Sequence, residues 1–196
     1  MQADNFITAA SDPEKWVRRS RSLRVSADLL WPYATEGISN FNKSDPATHQ
    51  PLIASFAILQ SSQLLYALSI ETALKGRIIL ISPSHLSFDV LMDGAGALSS
   101  VKMHPIGGKR TSGHDLVKLA ELAQLLSNGK NPEERAFLHF ASECILWRSR
   151  YPVPMESYSP NELATHLAAN DKLIGFQTKA VHWIDTALDF STIRNQ

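Results

Sequence analysis

One stretch limits the fold more than any other: from Leu52 to about Ile81 the chain is apolar over most of a helical circumference. Phe56, Leu59, Ala67, Ile70, Leu74, Ile78 and Ile81 make one stripe, with Leu64 and Leu68 beside it. A helix that is apolar nearly all round cannot lie on a surface, so it has to be the central element, with other elements packed around it. Pro83 sets its end, because the residue before a proline is pushed out of the helical region.

The flanking segments supply those neighbours. Asp12 as N-cap, Pro13 at the first helical position and Glu14 in the first turn announce a helix, since the cap accepts free backbone N–H groups and the dipole favours a carboxylate there. On it Trp16, Leu23, Ala27, Leu30 and Trp31 share a face, with Arg18, Arg21, Val25 and Asp28 roughly opposite. Ser112-Gly113-His114-Asp115 has the spacing of a capping box for a helix reaching about Leu126, with Leu116, Leu119 and Leu122 or Ala123 inward. Asn131-Pro132-Glu133-Glu134 starts another that Pro152 stops, with Phe137, Phe140, Ala141, Cys144 and Trp147 as its core stripe. Ser159 and Pro160 open the last, with stripes through Leu163, Leu167, Ile174, Val181, Ile184 and Leu188 and through Leu173, Phe176, Ala180, Trp183 and Ala187. The pattern leaves room for an interruption between Asn170 and Gly175. No run alternates with period two for long enough to demand a strand, and no internal repeat is visible.

The expected fold class is therefore all-α, an up-and-down helical bundle in one domain over residues 1–196, with its core at about 12–190 and a long loop or insertion at about 82–113. That insertion holds most of the glycines and short apolar pieces such as Phe88-Asp89-Val90-Leu91-Met92. It is too long for a passive connection and suggests a functional loop or a hidden short element.

Lys plus Arg and Asp plus Glu stand at 19 each, so no overall field draws the chain to nucleic acid or membrane, and a nucleic-acid contact needs a local patch. Lys15, Arg18, Arg19, Arg21 and Arg24 are such a cluster, but without interleaved aromatic residues a solvated helix face is the simpler reading. The lone cysteine, Cys144, cannot close an internal disulfide and falls on a core stripe, where it acts as a small hydrophobe; a reducing, cytoplasmic location fits. The amino end carries Asp4 and no apolar run, unlike a signal peptide, and no apolar stretch matches a bilayer span, so no membrane association is expected.

Standard catalytic signatures fail. Gly107-Gly108-Lys109-Arg110-Thr111 resembles the end of a phosphate-binding loop, but Met103 stands where that motif needs glycine and Arg110 where it needs Ser or Thr. The histidines at 49, 85, 104, 114, 139, 166 and 182 make no zinc spacing, so no metal and no cofactor is expected.

Three short pieces remain: Ile70-Glu71-Thr72-Ala73-Leu74-Lys75 on the central helix, Gly113-His114-Asp115-Leu116 at a helix start and Arg150-Tyr151-Pro152 at a helix end. In this order, over roughly residues 56–154, they resemble the HEPN (higher eukaryotes and prokaryotes nucleotide-binding) family of helical bundles. The resemblance implies a bundle that often forms a homodimer, in proteins tied to RNA cleavage, nucleotidyltransferase partners, toxin–antitoxin pairs or phage defence. Ribonuclease members carry an Arg, four to six residues and a His, whereas Arg110–His114 and Arg135–His139 here leave three residues between. The usual dyad is thus missing, and whether the chain is an enzyme stays open.

The residues singled out are His114 as a catalytic candidate, and Glu71, Lys75, Arg110, Asp115 and Arg150 as ligand-binding candidates. Each has a structural reading beside the functional one. Asp115 can cap a helix with His114 as a passenger; Glu71 and Lys75 can be an intrahelical pair, with Arg148 a possible further partner for a buried carboxylate; Arg150 can cap carbonyls. Three functions follow as expectations: a nucleotide- or RNA-associated protein of a prokaryotic defence or toxin–antitoxin system; a ribonuclease using His114 with Arg110 or Arg150; or a non-catalytic scaffold or partner-binding module.

Overall fold

The computed structural model describes residues 3–42, 44–96, 98–106, 113–127, 131–148 and 170–191. It is an all-α helical bundle with one small β-hairpin among the described residues. The helices are α1 (Ala3–Ser11), α2 (Pro13–Ser39), α3 (His49–Ile81), α4 (Leu116–Leu122), α5 (Pro132–Glu143, continued by a π-helical turn, Cys144–Arg148) and α6 (Asn170–Leu188). No helix among the described residues is long and apolar enough to cross a membrane.

The 33-residue α3 is the axis, packed by α2, α4, the π turn and α6. Its first turns are half exposed, but from Ser62 to Ile79 almost every side chain is buried, as an all-round apolar helix requires. Ser82 ends it outside the helical region, with Pro83 next. Asp12 caps α2 by accepting the Glu14 N–H at 3.0 Å. The helix then runs through Pro32 to Ser39, further than its apolar spacing marks, with Pro32 on its exposed side.

The α2–α3 seam is built from small residues seven apart: Ser20, Ala27 and Ala34 on one helix; Ser55, Ser62, Ser69 and Gly76 on the other. Such spacing keeps them on one side of two helices that follow each other. The Ser20 hydroxyl donates to the Ser69 carbonyl at 2.9 Å, and the Ser69 hydroxyl returns a bond to the Ser20 carbonyl at 2.8 Å. Ser62 donates to the Ala27 carbonyl at 3.1 Å and Ser55 to that of Tyr33 at 3.1 Å. A Cβ on Gly76 would sit 2.9 Å from the Trp16 Cβ, so glycine permits the approach.

At the other side, Phe176 of α6 lies among Trp31, Tyr66, Phe137 and Phe140 at ring separations of 5.3–6.4 Å. The Trp183 indole donates to Glu134 at 2.5 Å, tying α6 to α5.

The structure changes several expectations. The 82–113 region is not strandless: Phe88–Met92 (β1) pairs antiparallel with Leu98–Met103 (β2), Phe88 opposite Met103, with an irregularity at Leu91/Met92. Most hairpin side chains are exposed on both faces, so burial imposes no period-two pattern. The capping box is displaced: Gly113 has φ +80°, and Asp115, not Ser112, is the N-cap, accepting the Lys118 N–H at 3.1 Å. Accordingly α4 starts at Leu116 and stops at Leu122, and the positive φ of Gln124 turns the chain away. Asn131 occupies the expected cap position of α5 in a left-handed conformation, without a side-chain cap bond. α6 continues unbroken through Gly175. The start expected for it at Ser159-Pro160, and Pro152 as the stop after α5, lie outside the described residues.

Candidate functional site

Because Glu71 and Lys75 are four apart on α3, they sit one above the other on the face that meets the start of α4. The Lys75 Nζ donates to Glu71 Oε1 at 2.5 Å, with the two side chains 11% and 9% exposed. The other oxygen, Oε2, lies 2.7 Å from His114 Nδ1. One carboxylate therefore holds its own helix's lysine and a histidine 43 residues on.

An ionised carboxylate only accepts hydrogen bonds, so beside it Nδ1 carries the proton and donates. This fixes the ring and leaves Nε2 with no hydrogen bond among the described residues. The ring is 31% exposed, so solvent or a ligand can reach it while the carboxylate beneath stays sheltered. Such an arrangement can pass a proton at Nε2 or bind an oxygen-rich group.

The turn before α4 makes the contact possible. A Cβ on Gly113 would lie 3.2 Å from the Pro105 Cβ, 3.3 Å from the Ile106 carbonyl oxygen and 3.5 Å from the Lys75 Nζ. With its left-handed backbone, that crowding makes glycine the residue that fits. The Ser142 hydroxyl then accepts the Leu116 N–H at 3.0 Å while donating to the Leu138 carbonyl at 2.8 Å, fastening the start of α4 to α5.

The far end of α4 is held by a second buried cation. Arg77 Nε donates to the Ala123 carbonyl at 3.0 Å, and Nη1 to the Asp189 carbonyl at 2.8 Å. Burial lowers the Arg77 pKa from its ordinary value, and the Asp189 charge acts against that. α3 thus clasps the seven-residue α4 at both ends with charged side chains.

Of the six candidates, Glu71, Lys75 and His114 come together. Asp115, although adjacent, is occupied with its cap. Arg110 and Arg150 lie outside the described residues, as does the side chain of Arg148; the partners observed for Glu71 are Lys75 and His114. Among the described residues no group of three or more His, Cys, Asp or Glu is placed to hold a metal ion. Cys144 is fully buried. Of the basic cluster on α2, Arg24 is engaged by Asp28 at 3.5 Å and Asp185 at 2.5 Å.

Arg77 and Ser142 were missed by sequence reasoning. The signal for Arg77 was a lone guanidinium inside the otherwise uncharged Gly76–Ile81 stretch, which must find acceptors where it is buried. Ser142 had none, being one of many serines. Compared with models of known protein families, with curated proteins and with solved structures, the chain matches none.

Proposed function

We propose that the chain is a nucleotide- or RNA-associated helical module of a prokaryotic defence or toxin–antitoxin type system, with His114 as the group that meets the ligand. One observation carries this reading: a sheltered carboxylate, Glu71, orients a partly exposed imidazole through Nδ1 and leaves Nε2 with no hydrogen bond among the described residues. A phosphate or ribose hydroxyl offers that nitrogen an oxygen with which to share a proton. The order of the three motifs supports the choice of ligand class, and a nucleotidyltransferase or antitoxin is the matching partner.

The test is fluorescence anisotropy with labelled nucleotides and a mixed RNA pool at low salt, where phosphate contacts are strongest. Binding that falls at least about tenfold, or about 1.4 kcal/mol, in His114→Ala supports the reading. No affinity for either probe, or affinity unchanged by the substitution, removes it. In the ribonuclease version His114 acts with Arg110 or Arg150, and cleavage of the pool must vanish in His114→Ala.

A second reading, a non-catalytic partner-binding module, is favoured by the way Lys75 and His114 between them take both oxygens of Glu71. The same contacts fasten α4 without needing a ligand. Partner capture that survives His114→Ala, with no nucleotide or RNA affinity in the parent chain, selects it.

A further inference from the structure

The outer face of α2 carries an apolar centre that the fold leaves open. Val25, Leu29 and Tyr33 are 57%, 67% and 63% exposed, one helical turn apart and on the side opposite the buried Ser20, Ala27 and Ala34. On a solvated helix such positions are normally polar. The spacing extends beyond them: Arg18, Ser22, Val25, Leu29, Pro32 and Glu36 follow one another at alternating steps of four and three, all exposed. That is the spacing of a two-helix coiled-coil seam, on a face that meets no other helix among the described residues.

Its charges determine the orientation a partner helix can take. The amino-terminal end of the stripe is basic and its carboxy-terminal end carries Glu36, with the apolar residues between. Laid antiparallel on a second copy and centred at residue 27, the stripe places Arg18 opposite Glu36 of the other copy, twice over by symmetry, and Val25 opposite Leu29. A parallel arrangement would stack arginine on arginine. An isologous contact needs each residue to complement its mate's counterpart, and this stripe meets that condition at Arg18 with Glu36 and at Val25 with Leu29.

We propose that the exposed face of α2 is a self-association surface, on which two copies of this chain pair through antiparallel α2 helices. The surface, orientation and register come from the pattern of α2 alone and do not depend on what His114 binds.

The experiment is sedimentation equilibrium on the full chain up to about 100 µM, a range that detects dissociation constants weaker than micromolar. A dimer is expected, and Leu29→Asp shifts it to monomer. Arg18→Glu and Glu36→Arg each weaken association about tenfold or more, and the double exchange Arg18→Glu/Glu36→Arg restores it to within about threefold of the parent, because the pair is re-formed with its signs reversed. All three positions are exposed, so far-ultraviolet dichroism and melting of each variant should match the parent. A monomer at all concentrations overturns the proposal. So does a dimer indifferent to Leu29→Asp, or a double exchange no stronger than its singles. Hydroxyl-radical protection of Tyr33 in a monomeric parent would identify another part of the same chain as the occupant and would equally overturn it. Charge reversals that change retention on RNA without changing association would assign the face to nucleic acid.

Discussion

α3 buries polar side chains against two neighbours, and the two seams handle them in opposite ways. Toward α2 it uses serines, whose hydroxyls are met by backbone carbonyls of α2, with Ser20 and Ser69 returning each other's bond. The hydroxyls α3 brings there carry no charge, and Ser62 and Ser69 are fully buried. Toward α4 it uses Glu71, Lys75 and Arg77, three ionisable side chains within two turns, and the cluster reaches partly exposed His114 at its edge. A hydroxyl seam permits close approach at little desolvation cost. An ionic seam carries a large one, which geometry must offset. The difference separates polar groups that only join helices from a group that also faces the outside.

The comparison predicts unequal losses. Removing Glu71 should do the most damage, because Lys75 would remain buried without its counter-charge. Glu71→Ala is expected to cost about 3–5 kcal/mol of unfolding free energy, typical of an orphaned buried charge, measured by urea titration at neutral pH. Lys75→Met/Glu71→Leu together should recover most of it, since an apolar pair of similar volume removes both desolvation costs. A Glu71→Ala loss below about 1 kcal/mol would mean that the cluster is solvated and the contrast between the seams is false.

The small-residue seam should fail by crowding instead. Gly76→Val forces a Cβ to within 2.9 Å of the Trp16 Cβ, with an expected loss of about 1–3 kcal/mol, the usual range for overpacking. Ser69→Ala removes a hydroxyl that donates to Ser20 and should cost about 1 kcal/mol. If Ser69→Ala proves as harmful as Glu71→Ala, the serines do more than allow close packing.

These seams also show why the sequence was readable in one place and not in another. Asp12-Pro13-Glu14 and Pro83 mark helix ends through local chemistry, and local chemistry needs no knowledge of neighbours. The apolar circumference of residues 52–81 implied a central position for the same reason. Ser20, Ser62 and Ser69 escaped notice because a serine seven residues from another is ordinary until a second helix lies against it. The hairpin escaped because most of its side chains are exposed. Ser112 was taken for a cap whose geometry belongs to Asp115, since both are good cap residues and only the φ of Gly113 decides. At the site, Glu71 and Lys75 were paired by spacing alone. That Glu71 would meet His114 depends on how α4 crosses α3, which no local rule contains.

Tyr66 tests whether the α2–α3 seam is as inert as its serines imply. Its hydroxyl donates to Asp28 and accepts from Gln177 at 2.9 Å, while Arg24 holds Asp28. Burial, aided by the Asp28 hydrogen bond, raises its pKa above the ordinary 10.0. An acid whose folded pKa is raised keeps its proton in the native state while the unfolded chain loses it, so stability falls as pH rises past about 10, at up to about 1.4 kcal/mol per pH unit for one proton. Tyr66→Phe should cost about 1 kcal/mol at neutral pH, and this cost should shrink or reverse between about pH 10 and 11. A difference constant across that range would show that Tyr66 ionises equally in both states.

The smallest expected effect on stability is at His114, and it most directly separates joining from binding. The ring is 31% exposed and makes one hydrogen bond to Glu71, so His114→Gln, whose amide can still donate to the carboxylate, should change unfolding free energy by less than about 1 kcal/mol. The ring nitrogen lost is Nε2, which makes no hydrogen bond among the described residues. If that atom meets a ligand, affinity or turnover drops about tenfold or more while the melting curve hardly moves. If the ring serves only to fasten α4, the order reverses: binding is untouched, and hydrogen exchange of the α4 amides speeds up relative to those of the α2–α3 seam, because the clasp at the start of α4 has been loosened. The two outcomes cannot both hold for one substitution, so the same variant decides whether the ionic seam differs from the serine seam in function or only in composition.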